Sequence, residues 1–98
     1  MTYARKADAN QQDVAAALRR LGFHVAFTHT VGRGFPDMVV TGTRLPAGDV
    51  VALLVELKNR AGRNRLEPAE VAFHAAYPDG GPLIVAHDAA DVLAWFGR

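Results

Sequence analysis

Apolar and polar positions recur along this chain with two different periods, and the points where the period changes mark out its elements. Residues 9 to 21, ANQQDVAAALRRL, set Val14, Ala17, Leu18 and Leu21 three and four apart, the spacing of one apolar helix face. Asp8 is positioned to cap that helix and Gly22 to stop it. Residues 23 to 29, FHVAFTH, switch to period two, with Phe23, Val25 and Phe27 alternating against His24, Ala26 and Thr28, which predicts a strand. TVGRGFP is a loop with two glycines and a proline, and DMVVTGT leaves it as a second strand. After the turn RLPAGD, the run VVALLVELK is apolar on both faces, as a central third strand would be. KNRAGRNR is a basic loop. Glu67 to Tyr77 predicts a second helix, with Pro68 in its first turn and Val71, Phe73 and Ala75 on its buried side. PLIVA is a fourth strand, and DAADVLAWF a short closing helix capped by Asp88. The order helix, three strands, helix, strand, helix predicts one α/β sandwich with a mixed sheet, occupying residues 1–98 as a single domain.

Composition narrows the chemistry. Half of the 98 residues are hydrophobic, enough for a folded globule. The absence of cysteine removes disulfides, thiolate zinc sites and thiol nucleophiles together. No apolar run approaches the roughly 20 residues that span a bilayer, and MTYARKADANQQD lacks the apolar core of a signal peptide, so a cytoplasmic protein with no membrane partner is expected. The formal net charge is only +1, but four of the eleven cationic side chains, Lys58, Arg60, Arg63 and Arg65, fall within eight residues that hold no acid. A concentration of this kind suits phosphate contact.

Against that background, Asp37, Glu56 and Lys58 stand out, because they interrupt the most apolar runs of the chain. An ionised group taken out of water costs several kcal/mol even after relaxation, so such residues need partners or a function. Glu56 and Lys58 project from one face of the third strand, about 7 Å apart. Asp37 opens the second strand, whose short connection to the third makes the two antiparallel neighbours and can bring Asp37 beside Glu56. Two converging carboxylates repel unless a cation lies between them. With oxygen ligands alone and no paired histidine spacing, Mg²⁺ or Mn²⁺ suits them better than Zn²⁺.

Pro36-Asp37 followed by Glu56-Leu57-Lys58 resembles the PD-(D/E)XK nuclease signature. The whole chain resembles the small standalone VRR-NUC domains of phage and bacterial genomes, a Holliday-junction-resolvase-like group. The short pattern alone is weak; the ordered setting ADANQQDVAAALRRLGFHV, GRGFPDMVV, LLVELKN, LEPAEVAFHAAY and LIVAHDAADVL runs from residue 7 to residue 93, a span of about nine tenths of the chain, and is more specific. The resemblance implies a restriction-endonuclease-like α/β sandwich. It implies Asp37 and Glu56 as metal-binding carboxylates, the Leu57 backbone carbonyl as a further ligand, and Lys58 as the group that orients water or offsets charge. The family usually completes the site with an acidic residue of the first helix. Asp13 is the position that fits, although the family more often has the longer glutamate. Glu70 stands where many relatives carry glutamine, and a carboxylate cannot donate a hydrogen bond unless protonated, so as a candidate catalytic residue it is expected either to touch the metal shell through water or to have no catalytic part.

The expected function is therefore a Mg²⁺- or Mn²⁺-dependent endonuclease hydrolysing phosphodiester bonds in DNA. Arg60, Arg63 and Arg65 of the basic loop and Arg33 of the glycine loop are the candidates for phosphate contact. No module is left over for base readout, so recognition of shape, as in branched or four-way-junction DNA, is favoured over recognition of sequence. The resemblance also implies a homodimer, which would present two active sites to opposite strands. A catalytically silent binding module of the same fold, or a nuclease acting on RNA, flaps or free ends, satisfies the same residues. Plainer roles stand beside each assignment: an ion-pair cluster for the central trio, and solvated helix positions for Asp13 and Glu70. Among the histidines there is no HxxxH or HxH pair; His24 and His29 fall on or beside the first strand, and His29 is the one considered for an approach to the trio from that neighbouring strand.

Overall fold

The computed structural model describes residues 8–59 and 65–98. Seven elements follow in the expected order: α1 (Ala9–Arg20), β1 (His24–Phe27), β2 (Met38–Arg44), β3 (Asp49–Leu57), α2 (Pro68–Ala76), β4 (Leu83–Ala86) and α3 (Ala89–Trp95). The strands form one sheet in the order β1-β2-β3-β4. The first three are antiparallel neighbours, and β4 joins β3 in parallel. The sheet is therefore mixed, as the sequence predicts. Among the described residues no helix is long and apolar enough to cross a membrane.

The alternation of side chains sorts the sheet into two unlike faces. One carries Met38, Val40, Leu53, Val55 and Leu57, all buried, which merge with Val14 and Leu18 of α1, Val92 of α3 and Phe96 just beyond it into a single core. Helix α1 rests against β1 and α3, and α3 against β4. The rings of Phe23 and Phe96 meet at 4.9 Å between centroids. Local signals fix the ends of both helices: Asp8 accepts from the Gln11 N–H and Asp88 from the Asp91 N–H. In each case a short side chain satisfies an amide that the first helical turn leaves without a partner. Gly22 follows α1 with φ 92°, the left-handed conformation that ends it.

Two expectations are corrected. Strand β3 is central only over its second half, because β4 pairs with Leu54–Leu57 and no further. The first half extends as a two-stranded ribbon with β2, where Val50 is 72% exposed. Helix α2 contains no buried residue. Val71 and Ala75, expected inside, are exposed, and Phe73 is half-buried, with its ring 5.3 Å from Phe35 and stacked on Tyr77. The helix docks through its first turn on the glycine loop instead of laying an apolar stripe on the sheet. At Gly34, which has φ 78°, an added Cβ would run into the Ala69 carbonyl and stand 2.8 Å from the Glu70 nitrogen.

Candidate active site

The β2–β3 register pairs Met38 with Val55, and one step further along it Asp37 faces Glu56. Backbone contacts hold Asp37 on both sides. Its N–H donates to the Val55 carbonyl at 2.9 Å, and its own carbonyl accepts from the Thr28 N–H at 2.8 Å. The Thr28 hydroxyl donates to the Pro36 carbonyl at 2.7 Å. The Asp37 side chain then continues the ladder where β2 begins: Oδ2 accepts from the Leu57 N–H at 2.8 Å. A carboxylate thus does for Leu57 what a strand carbonyl does elsewhere.

Glu56 alternates with Val55 and Leu57 and so points away from the apolar core, yet it is only 1% exposed. Its Oε1 is buried and has no hydrogen-bond partner. Burial first, then the adjoining Asp37 carboxyl and its negative charge, and then the charge of Glu70, drive the Glu56 pKa up to about 9; the Lys58 ammonium opposes them and loses. Two facing carboxyl groups cannot both be ionised in such a place unless a cation lies between them, so in metal-free protein at neutral pH a proton does that work.

Lys58 follows directly on β3 and is fixed at three atoms. Its N–H donates to the Ala86 carbonyl at 2.9 Å, its carbonyl lies 2.9 Å from His87 Nδ1, and its Nζ donates to Glu70 Oε1 at 2.8 Å. Nζ also stands 4.0 Å from Glu56 Oε2. Burial works against the ammonium, but the Glu70 hydrogen bond and charge, with the charges of Glu56 and Asp37 behind them, outweigh it and raise the Lys58 pKa. For Glu70 burial is again overcome, by the Lys58 hydrogen bond and by the bond from the Glu67 N–H, and its pKa is lowered. That second bond belongs to a capping box: Glu70 Oε1 accepts from the Glu67 N–H at 2.8 Å while the Glu67 side chain takes the backbone N–H of residue 70.

The structure therefore brings together Asp37, Glu56, Lys58 and Glu70. It does not bring Asp13 to them: that residue is exposed on α1 and makes none of the cluster's contacts. The polar α1 residue turned inward is Gln11, 8% exposed, with its Oε1 buried and unpartnered. Arg33 and Arg65 are exposed, and Arg33 adopts φ 56° between two glycines that are also left-handed. Arg60 and Arg63 lie outside the described residues. His87, which anchors the Lys58 backbone, was not singled out by its sequence: a ring nitrogen on a backbone carbonyl across a parallel strand pair leaves no spacing signature.

The donor set suits a hard divalent cation. Asp37 and Glu56 offer only oxygens, and the orphaned buried Oε1 of Glu56 is the kind of atom that an ion would satisfy. Among the described residues no group of three or more histidine, aspartate or glutamate side chains converges on one point. An ion here would complete its coordination with backbone, water or substrate oxygens. A hollow of about 330 Å³ lined by Arg44, Leu45, Pro46, Ala47, Asp49 and Val51 lies at the opposite end of the β2–β3 ribbon. Its Arg44 is already engaged, with its guanidinium 3.6 Å above the Trp95 ring and its Nε donating to the Trp95 carbonyl. The buried carboxyl oxygen without a hydrogen-bond partner lies at the Glu56 end.

Comparison with known protein-family models finds no match to this chain, and comparison with curated protein sequences finds none either.

Proposed function

We propose that this protein is a metal-dependent nuclease of the PD-(D/E)XK type, hydrolysing phosphodiester bonds in DNA. The observation that carries the reading is Glu56: a carboxyl buried on the face of β3 turned away from the apolar core, opposed to Asp37, with one oxygen unpartnered and the Lys58 ammonium 4.0 Å from the other. A structural ion pair does not account for this, since a buried acid beside a second acid destabilises a fold that has no use for it. Asp37 and Glu56 would hold Mg²⁺ or Mn²⁺, with the Leu57 carbonyl as a further ligand, and the ion would supply Lewis-acid polarisation of the scissile phosphate and a more acidic water.

The chain's own residues do the rest. Asp37, braced by Thr28 and by the Leu57 N–H, keeps the two carboxyl groups in register. Lys58 directs its Nζ protons at the attacking water or at charge developing on the phosphate. Arg33 and Arg65, with Arg60 and Arg63, would carry flanking phosphates. Contacts to phosphate orient a duplex without reading its sequence, so branched DNA such as a four-way junction, cut by a homodimer, is the favoured substrate.

The test is to incubate purified protein with labelled linear duplex, single strand, flap, four-way junction and RNA in Mg²⁺, Mn²⁺ or EDTA, alongside Glu56→Gln and Lys58→Ala. Cleavage should need the metal and both side chains. Thermal melting in parallel should show Mn²⁺ raising the Tm of the wild type but not of Glu56→Gln, because only the former gains a ligand on folding. Failure of the wild type to cut any substrate in Mn²⁺ removes the nuclease reading. A metal-induced Tm shift without cleavage would leave a binding module in its place.

A further inference from the structure

Glu70 has no counterpart in a site built from Asp37, Glu56 and Lys58 alone, yet one of its oxygens joins two parts of the molecule. Oε1 accepts from Lys58 Nζ at 2.8 Å and from the Glu67 N–H at 2.8 Å. The first contact fixes the ammonium. The second fixes Glu70 itself, since the capping box ties its side chain to the start of α2. That start is in turn seated on the glycine loop, where the missing Cβ of Gly34 lets the Ala69 carbonyl approach. The loop leads directly into Asp37. A continuous set of contacts therefore runs from the segment bearing Asp37, through the first turn of α2, to the amine of Lys58.

Without that hold, Lys58 would be a four-carbon side chain at the end of a strand, free to turn onto the Glu56 carboxyl, whose Oε2 stands 4.0 Å from Nζ. A direct Lys58–Glu56 contact would occupy an oxygen that an ion would use and withdraw the amine from the phosphate. Glutamate suits this task better than a neutral amide, because its negative charge adds Coulombic attraction to the hydrogen bond that either side chain would accept from the ammonium.

We propose that Glu70 is a positioning residue: it holds Lys58 Nζ beside, but off, Glu56, and α2 exists in this fold chiefly to present it. The proposal rests on the reading of Asp37, Glu56 and Lys58 as a phosphodiester-cleaving site. It accounts for a helix with no buried residue that is nevertheless pinned at its first turn. It also assigns a function to Gly34, whose left-handed φ and close neighbour both disfavour any side chain.

The chain contains only two lysines, Lys6 and Lys58, which makes the contact measurable without reference to activity. Metal-free wild type, Glu70→Gln and Glu70→Ala would be treated with a limiting, isotope-coded acylating reagent. The extent of labelling at Lys58 would be read against Lys6 of the same molecules by peptide mass spectrometry. Loss of the charge-assisted bond in Glu70→Ala should raise relative Lys58 labelling by about tenfold, and Glu70→Gln, which keeps an acceptor in place, should fall between. Gly34→Ala should free Lys58 although Glu70 is intact. Steady-state cleavage by the same proteins should show kcat lowered by about tenfold to a hundredfold in Glu70→Ala with KM changed by less than about twofold, and partial rescue in Glu70→Gln.

Unchanged Lys58 labelling in Glu70→Ala overturns the proposal whatever the kinetics. A freed Lys58 with undiminished kcat overturns it as well, since the hold would then serve only the fold. A freed Lys58 in a protein whose wild type cuts nothing removes the nuclease reading, and with it this role, while leaving the contact itself established.

Discussion

The two faces of the sheet obey different rules. On the α1 and α3 side, Met38, Val40, Leu53, Val55 and Phe96 are fully buried and apolar, and their neighbours can change only at the cost of packing. On the other side stand Glu56 and Lys58, met by Glu70 from a helix that buries none of its own residues. The first face spends its burial on stability. The second buries a carboxyl beside another carboxyl, which opposes stability and is the arrangement on which the proposed metal site rests. Stability and activity should therefore respond separately to substitutions on the two faces.

The sharpest division is expected from Glu56→Gln and Lys58→Ala. Each should lower kcat/KM on the preferred DNA substrate by about a thousandfold while leaving the protein folded by circular dichroism. A fall in activity that merely tracked a fall in Tm would erase the distinction between the faces. Phe96→Ala is the converse: urea unfolding should show a loss of about 3–5 kcal/mol, with kcat per folded molecule unchanged. The pH profile of metal-free stability comes next. A carboxyl whose pKa rises on folding binds its proton more tightly in the folded state. The stabilisation from Glu56 is therefore complete below its ordinary 4.5 and drains away as pH climbs through about 9. Wild-type Tm should fall across that window, and Glu56→Gln should flatten the profile; a wild-type profile already flat would mean that Glu56 is not held neutral.

Smaller effects come from the helix ends and the surface. Asp8→Ala, which removes the α1 cap, should cost about 1 kcal/mol in urea unfolding and nothing in activity. Asp13→Ala should be nearly silent, within about 0.5 kcal/mol in stability and with kcat unchanged. A large loss of activity at Asp13 would mean that α1 reaches the site after all, against its exposed position.

What could be read from the residues follows the same division. The apolar face was legible because each of its elements announces itself locally: the four-residue spacing of Val14 and Leu18, the caps Asp8 and Asp88, the alternation of Phe23 and Val25; Leu21, expected on the same face, is 55% exposed because it lies past the end of α1. The encounter of Asp37 with Glu56 was legible too, since two strands joined by a short turn have little choice of register. Helix α2 was misjudged at Val71 and Ala75 because VAFHAAY is apolar on several sides, and its true seat depends on Gly34, distant in sequence. The bond from His87 to the Lys58 carbonyl is likewise a product of tertiary structure alone. The reach of β3 beyond β4 was hidden because strand length is set by the partner as well as by the strand itself.

One contact near the site binds architecture to chemistry at a single atom. Because Oδ2 of Asp37 receives the Leu57 amide, the sheet borrows its final rung from a side chain. Asparagine at that position could still supply a carbonyl oxygen for the rung while forfeiting the negative charge, whereas alanine would strip the amide of its only acceptor there. Position 37 therefore tolerates the loss of its charge more readily than the loss of its polar group: Asp37→Asn should leave the strand end unaltered, and Asp37→Ala should loosen it.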